Sequence, residues 1–134
     1  YDELGQAWKA QKLISEVMST LYLNSPEGYC GNEDTGQMAA WYLWNTLGMY
    51  PVTHGDGRYY IGTPLFKKIE FQHANGTLTI MADKSSPNEI YIDEIQVNGK
   101  EHHQFWFDHH VIFKGDVTIS FKMSDKPNKV WFEQ

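Results

Sequence analysis

The hydrophobic pattern of this chain changes period once, at Met49-Tyr-Pro-Val52, and that change limits it to helices first and sheet second. Before it, Leu4, Trp8, Ile14, Val17, Met18 and Leu21 recur at helical spacing, with Lys9, Lys12 and Glu16 on the other face. The spacing predicts a first helix over 2–22, ended by Asn24-Ser-Pro-Glu-Gly28. A second is predicted from Asp34 to Leu47, apolar around most of its circumference and stopped by Gly48. Beyond Val52 the segments 58–61, 67–72, 77–82, 89–97, 104–107, 117–123 and 129–132 read as strands, and Asn75-Gly76, Asn98-Gly99 and Lys114-Gly115 read as turns. The fold class is therefore α+β: two antiparallel helices over 1–50, then an antiparallel β-sandwich-like lobe over 51–134 with Trp106 and Trp131 in its core.

Charge and composition exclude several partners. A net charge of −6 argues against nucleic acid, which needs clustered Lys and Arg to neutralise phosphates. No apolar run approaches the ~20 residues that span a bilayer, so no membrane segment is expected. With one cysteine no internal disulfide can form, and Cys30 reads as a buried small residue. Neighbouring residues in a strand point to opposite faces, so His102-His103 and His109-His110 each offer one ligand at most to any metal and read as surface histidines. His54, in the loop after the helices, is a further polar group within reach of a site there. The chain opens on Tyr1-Asp-Glu-Leu, without an initiator Met, and is expected to be a piece of a longer protein.

The stretch with most chemical content is Gly28-Tyr-Cys-Gly-Asn-Glu-Asp-Thr-Gly36, which delivers Asn32, Glu33 and Asp34 to the start of the second helix. A carboxylate there faces backbone N–H groups and the positive end of the helix dipole, which suits a base better than an acid. The same residue types also serve as ordinary helix caps. The residues alone leave both readings open.

Several ordered motifs carry a family resemblance. Gly5-Gln-Ala-Trp-Lys-Ala-Gln11, Gly31-Asn-Glu-Asp-Thr-Gly-Gln-Met-Ala-Ala-Trp-Tyr42, Leu47-Gly-Met-Tyr-Pro-Val52, Ile61-Gly-Thr-Pro-Leu-Phe66 and Asn98-Gly-Lys100 together resemble the C-terminal signature of family 92 glycoside hydrolases. Those enzymes are calcium-dependent, inverting exo-α-mannosidases. The resemblance implies that the two helices close an (α/α)6 barrel, that Asp34 is the general base, and that Asn32, where many members carry Asp, assists it. It also implies that Glu33, Gln37 and Trp41 shape the substrate pocket, and that mannose-containing glycans are the partner in an extracytoplasmic setting. The general acid and most calcium ligands then belong to a preceding part of the chain, so the fragment alone is expected to be inactive and to hold no calcium or other metal. Asn32, Glu33 and Asp34 supply too few oxygens for a shell of about 6 to 8. Helix faces bared by the missing barrel predict self-association.

The alternative reading is a non-catalytic carbohydrate-binding or structural β module anchored by its helices. Asn75-Gly-Thr77 matches a glycosylation sequon, relevant in a eukaryotic secretory setting, whereas the resemblance points to bacteria.

Overall fold

Left-handed backbone sets where the helices begin. The computed structural model describes residues 1–130. Asp2–Leu4 forms a 3-10 turn that Gly5 ends at φ 66°, so the first helix, α1, runs over Ala7–Thr20 rather than from residue 2. The second, α2, spans Gln37–Thr46. It does not begin at Asp34, because Thr35 and Gly36 hold φ 57° and 83°, outside the right-handed helical region. Gly48, at φ 78°, stops it as the sequence predicts. Ile14 of α1 and Asn45 of α2 both lie against Gly62, while Tyr22 just beyond α1 reaches Met38 near the start of α2, so the two helices run antiparallel.

The remainder is β1 (Met49–Tyr50), β2 (Arg58–Ile61), β3 (Lys68–His73), β4 (Gly76–Asp83), β5 (Tyr91–Val97), β6 (Lys100–Glu101), β7 (Trp106–Asp108), a short helix α3 (His109–Ile112) and β8 (Val117–Ser124). A three-stranded sheet, β1-β2-β7, faces a five-stranded sheet, β3-β4-β8-β5-β6. Their inner faces share one core: Met49, Ile61 and Phe107 from the first meet Leu78, Ile80, Ile92, Ile95, Ile119 and Phe121 from the second. Phe107 stands edge-on to Phe121 with centroids 6.2 Å apart. The three-stranded sheet is antiparallel, but the five-stranded one is mixed, because β8 pairs parallel with β4 and antiparallel with β5. That central strand buries Val117, Ile119, Phe121 and Met123 in strict alternation.

One residue of register decides which aromatic is inside. In the pairing of β2 with β7, Tyr59 opposes Phe107 and Tyr60 opposes Trp106, and Phe107 is the residue turned into the core. Trp106, expected in the core, is half-buried on the outer face beneath the Arg58 guanidinium, 4.7 Å from its ring. Trp131 and most of the strand expected over 129–132 lie outside the described residues; Lys129 and Val130 form a bend.

Both helices stand on the sheets. The Gln11 side chain, 2% exposed, accepts a hydrogen bond from the Ile92 amide of β5 at 3.3 Å, beside the bulge between Ile92 and Glu94. Trp44 and Leu47 of α2 pack against the sandwich core, and Trp44 stacks on Tyr59 at 5.0 Å.

Candidate active-site loop

Residues 22–36 form a loop closed at its base. Tyr22 and Tyr29 pair as an isolated antiparallel bridge, and the Leu23 amide donates to the Gly28 carbonyl at 2.8 Å. Gly28 is buried where a Cβ would lie 2.0 Å from the Leu23 carbonyl oxygen, so only glycine fits. Tyr22 anchors this base to α2. Its ring stacks on Trp41 at 5.5 Å, leans on Tyr42 at 4.9 Å and meets Tyr29 edge-on at 5.9 Å, and its hydroxyl donates to the Met38 carbonyl at 3.2 Å. Burial first, then the neighbouring Cys30, Glu33 and tyrosines, push the Tyr22 phenol above its ordinary value.

The segment between this base and α2 is a strained turn. A β-branched residue at positive φ, as Thr35 is, costs ~1–3 kcal/mol unless its surroundings hold it. The Thr35 hydroxyl donates to the Asp34 carbonyl at 2.7 Å, the Asp34 amide to the Asn32 carbonyl at 3.2 Å, and the Gln37 amide to the Asp34 carbonyl at 3.2 Å. Glu33 completes the closure. Both of its carboxylate oxygens accept from the Ala39 amide, at 3.1 and 3.2 Å, so it caps α2 from outside the helix. The cap residue itself is Gly36, which has no side chain to offer.

The expected site residues therefore divide by role. Asn32, Asp34 and Gln37 share one exposed turn, and among the described residues no hydrogen bond engages the Asp34 carboxylate or the Asn32 amide. Glu33 is half-buried and turned inward on Ala39. Trp41 is half-buried behind the turn, and its carbonyl accepts from the Asn45 side chain at 2.8 Å. Sequence reasoning took 24–28 as helix-breaking punctuation and passed over Tyr22, Tyr29 and Tyr42, the residues that hold the loop. Two tyrosines flanking Ser25-Pro-Glu-Gly28 were the available signal.

Other expected groups take different places. Cys30 is exposed, not buried, because the loop runs along the surface from Tyr29 to Asn32. His54 is exposed in the 52–57 loop. His102 is half-buried with Nε2 donating to the Trp106 carbonyl at 2.9 Å, while His103 lies at the surface 3.4 Å from Glu101. His109 Nδ1 shares a 2.8 Å hydrogen bond with the Tyr59 hydroxyl, and His110 is exposed. Among the described residues no group of three or more His, Cys, Asp and Glu converges to hold a metal. With the Glu33 oxygens committed to Ala39, the loop offers Asp34 and Asn32 as oxygen donors, a minority of a calcium shell. This chain's own residues do not by themselves fit that ion.

Residues 1–125 match the glycosyl hydrolase family 92 catalytic domain, and the chain belongs to that family. Among solved structures it is 37% identical, at a TM-score of 0.91, to a family GH92 alpha-mannosidase from Bacteroides thetaiotaomicron, over 96% of this chain and 17% of that one. The same enzyme in complex with mannoimidazole superposes equally well. A family GH92 inverting mannosidase from Bacteroides thetaiotaomicron VPI-5482 is 35% identical at a TM-score of 0.92, over 100% of this chain and 18% of that one. An uncharacterized secreted glycosidase from Arthroderma benhamiae is 24% identical over 119 residues, which are 86% of this chain and 15% of that protein. The chain thus spans less than a fifth of the length of each of these relatives. Among the described residues α1 and α2 are the long helices, and they do not by themselves form the (α/α)6 barrel implied by the resemblance.

Proposed function

We propose that this chain is the C-terminal portion of a glycoside hydrolase that releases terminal α-linked mannose, α-1,2-linked in its natural glycans, with inversion, and that Asp34 is the general base. The observation that carries the reading is the turn at 33–36: a strained Thr35-Gly36 pair, tied down by Glu33, leaves the Asp34 carboxylate without a hydrogen-bond partner among the described residues. Strain of this kind persists where the surroundings over-determine it, and it gathers at functional sites.

In an inverting reaction Asp34 takes a proton from water while the water oxygen bonds to the anomeric carbon, and the glycosidic C–O bond breaks as an acid protonates the leaving oxygen. The two carboxyl groups then stand ~6.5–9.5 Å apart, to admit the water. The acid comes from elsewhere in the complete enzyme, so the fragment alone is inactive. Asn32, exposed on the same turn, hydrogen-bonds the water or a sugar hydroxyl. Gln37, exposed at the first position of α2, binds a sugar hydroxyl, and Trp41 backs the pocket. Glu33, which the resemblance implies for the substrate pocket, instead positions the loop through its bonds to the Ala39 amide. Calcium would be held mainly by groups outside this chain and, when bound, would supply charge for binding the sugar. The name of the fungal relative, a secreted glycosidase, supports an extracytoplasmic setting.

The test is mannose release from α-1,2-mannobiose by the complete enzyme, its Asp34→Asn variant, and the enzyme treated with a calcium chelator. The variant should lose nearly all turnover while still binding mannoside, and chelation should suppress release. Wild-type turnover in Asp34→Asn sinks the base assignment. An intact enzyme that binds mannosides without cleaving them favours the carbohydrate-binding reading.

A further inference from the structure

A cavity of about 460 Å³ opens between the last turns of α1, the segment after β2 and the loop joining β4 to β5, and none of the roles above uses it. Met18, Leu65, Pro87 and Ile90 supply apolar surface, and four serines supply hydroxyls. Lys67 and Lys84 line it, and no acidic side chain does. The wall at Thr63-Pro64-Leu65 is fixed from behind by the end of α2. The Leu65 amide donates to the Thr46 carbonyl at 3.1 Å, and a Cβ on Gly48 would lie 2.9 Å from Pro64.

Lys84 lacks a counter-ion. Its half-buried Nζ donates to the Pro64 carbonyl, and among the described residues no carboxylate stands within ion-pair distance of it. Burial pushes the Lys84 amine below its ordinary value, and Glu89 offsets part of that, although a Glu89 oxygen is committed to the Ser85 amide at 2.6 Å. An ammonium has three protons to donate, and Pro64 accepts one. Thr63, 4% exposed, lines the same cavity, and its hydroxyl has no hydrogen-bond partner among the described residues. Buried charges and hydroxyls are ordinarily paired.

We propose that this cavity binds a small organic carboxylate with an apolar body, its anionic end on Lys84 and its body on Met18, Leu65 and Ile90. The site goes beyond the glycosidase reading and uses no residue assigned to that reaction. The lining selects against the other ligand classes. A neutral sugar leaves the Lys84 charge unmatched and finds no aromatic ring to stack on. Inorganic phosphate brings no surface to cover the apolar side chains. A cation meets two lysines and no acid. A negative charge on an apolar stem satisfies both halves of the lining, and the cavity volume lies within the ~300–1,000 Å³ of ligand pockets. An acid bound there touches α1 and both loops at once, so its binding ties the first helix to the sandwich.

The experiment titrates the complete enzyme with three probes that share one alkyl chain, hexanoate, hexan-1-ol and hexylammonium, by calorimetry and by the shift in Tm. Hexanoate should saturate a single site per chain and raise Tm. Hexan-1-ol should bind about tenfold more weakly, the size of one charge-assisted hydrogen bond, and hexylammonium should not bind. Lys84→Met, which keeps the apolar stem, should weaken hexanoate about tenfold and leave hexan-1-ol within about twofold. Ser19→Glu adds a negative charge at an exposed position on the wall and should weaken hexanoate about three- to tenfold, which keeps the test decisive if Lys84→Met fails to fold. Equal affinity for the three probes, no saturation by hexanoate, or native hexanoate affinity in the folded variants overturns the site. Displacement of hexanoate by α-1,2-mannobiose would put the acid at the sugar site and overturns it as well.

Discussion

Replacing Gly28 with alanine puts a methyl group where the chain has left no space. The new Cβ would lie 2.0 Å from the Leu23 carbonyl oxygen and 2.9 Å from that of Ser25, against an ordinary contact of 3.4 Å or more. Both obstacles are backbone, so no flexible side chain can swing aside, and the loop itself must open by more than an ångström. Opening gives up the Leu23–Gly28 hydrogen bond, about 0.5–1.5 kcal/mol, and the edge contact of Tyr22 with Tyr29, a similar amount. The expected cost is therefore about 1–3 kcal/mol, confined to the loop. Gly31→Ala is the control from the same loop, because its Cβ would meet nothing within 4 Å and its φ is not positive. That change should be neutral or stabilise by about 0.4–1 kcal/mol through the unfolded chain. Amide exchange reads the difference directly. The Leu23 amide should exchange about ten- to a hundredfold faster in Gly28→Ala and at the native rate in Gly31→Ala. If both variants keep Leu23 protected to within twofold, the closed-loop account fails.

Further outcomes follow from single contacts. Glu33→Ala should cost about 1 kcal/mol in urea denaturation and reduce kcat of the complete enzyme more than it changes KM, and Glu33→Gln, which keeps an acceptor for the Ala39 amide, should restore most of both; equal behaviour of the two variants would show that Glu33 caps nothing. Phe107→Ala, at 1% exposure, should cost about 3–5 kcal/mol, and Trp106→Ala only about 1–2 kcal/mol because Trp106 lies on the outer face with part of its ring open to solvent. The reverse order would mean that the register of β7 is wrong. Burial holds the His102 imidazole below its ordinary value of 6.5, against the hydrogen bond to Trp106. The unfolded chain then binds more protons, so this contribution is fully present above about pH 6.5 and is lost as pH falls below it. In His102→Gln the urea midpoint should vary less between about pH 5 and 7, and an unchanged slope would remove His102 as the cause.

What the sequence made legible was periodic or chemical; what it hid was tertiary. Gly48 ends α2 because a residue without Cβ is needed at φ 78°, a requirement visible from the local sequence. The start of α2 was illegible, since Thr35 adopts its left-handed conformation only because Glu33 and the Tyr22 cluster hold the turn from outside. Alternation in Val117–Ser124 announces a half-buried strand but carries no direction, so the parallel partner Gly76–Asp83 could not be read from it. Adjacent Trp106 and Phe107 fit the core equally well by composition, and a single step of register chose between them. Asp34 stood out through resemblance to family members. Nothing in its own spacing separates a base from a cap.

The bond from Gln11 to Ile92 has a consequence for the order in which the molecule is made. It joins positions 81 residues apart, and Gln11 is buried only because the sheet is there to cover it. The helices leave the ribosome well before β5 and β8 exist to receive them. Until those strands arrive, α1 has no floor, and Trp44 and Leu47 of α2 have no core to enter. Non-local closure of this kind is slow. The turn that presents Asp34 is synthesised before the strands that support its helices, and it becomes competent only when β8 slides between β4 and β5.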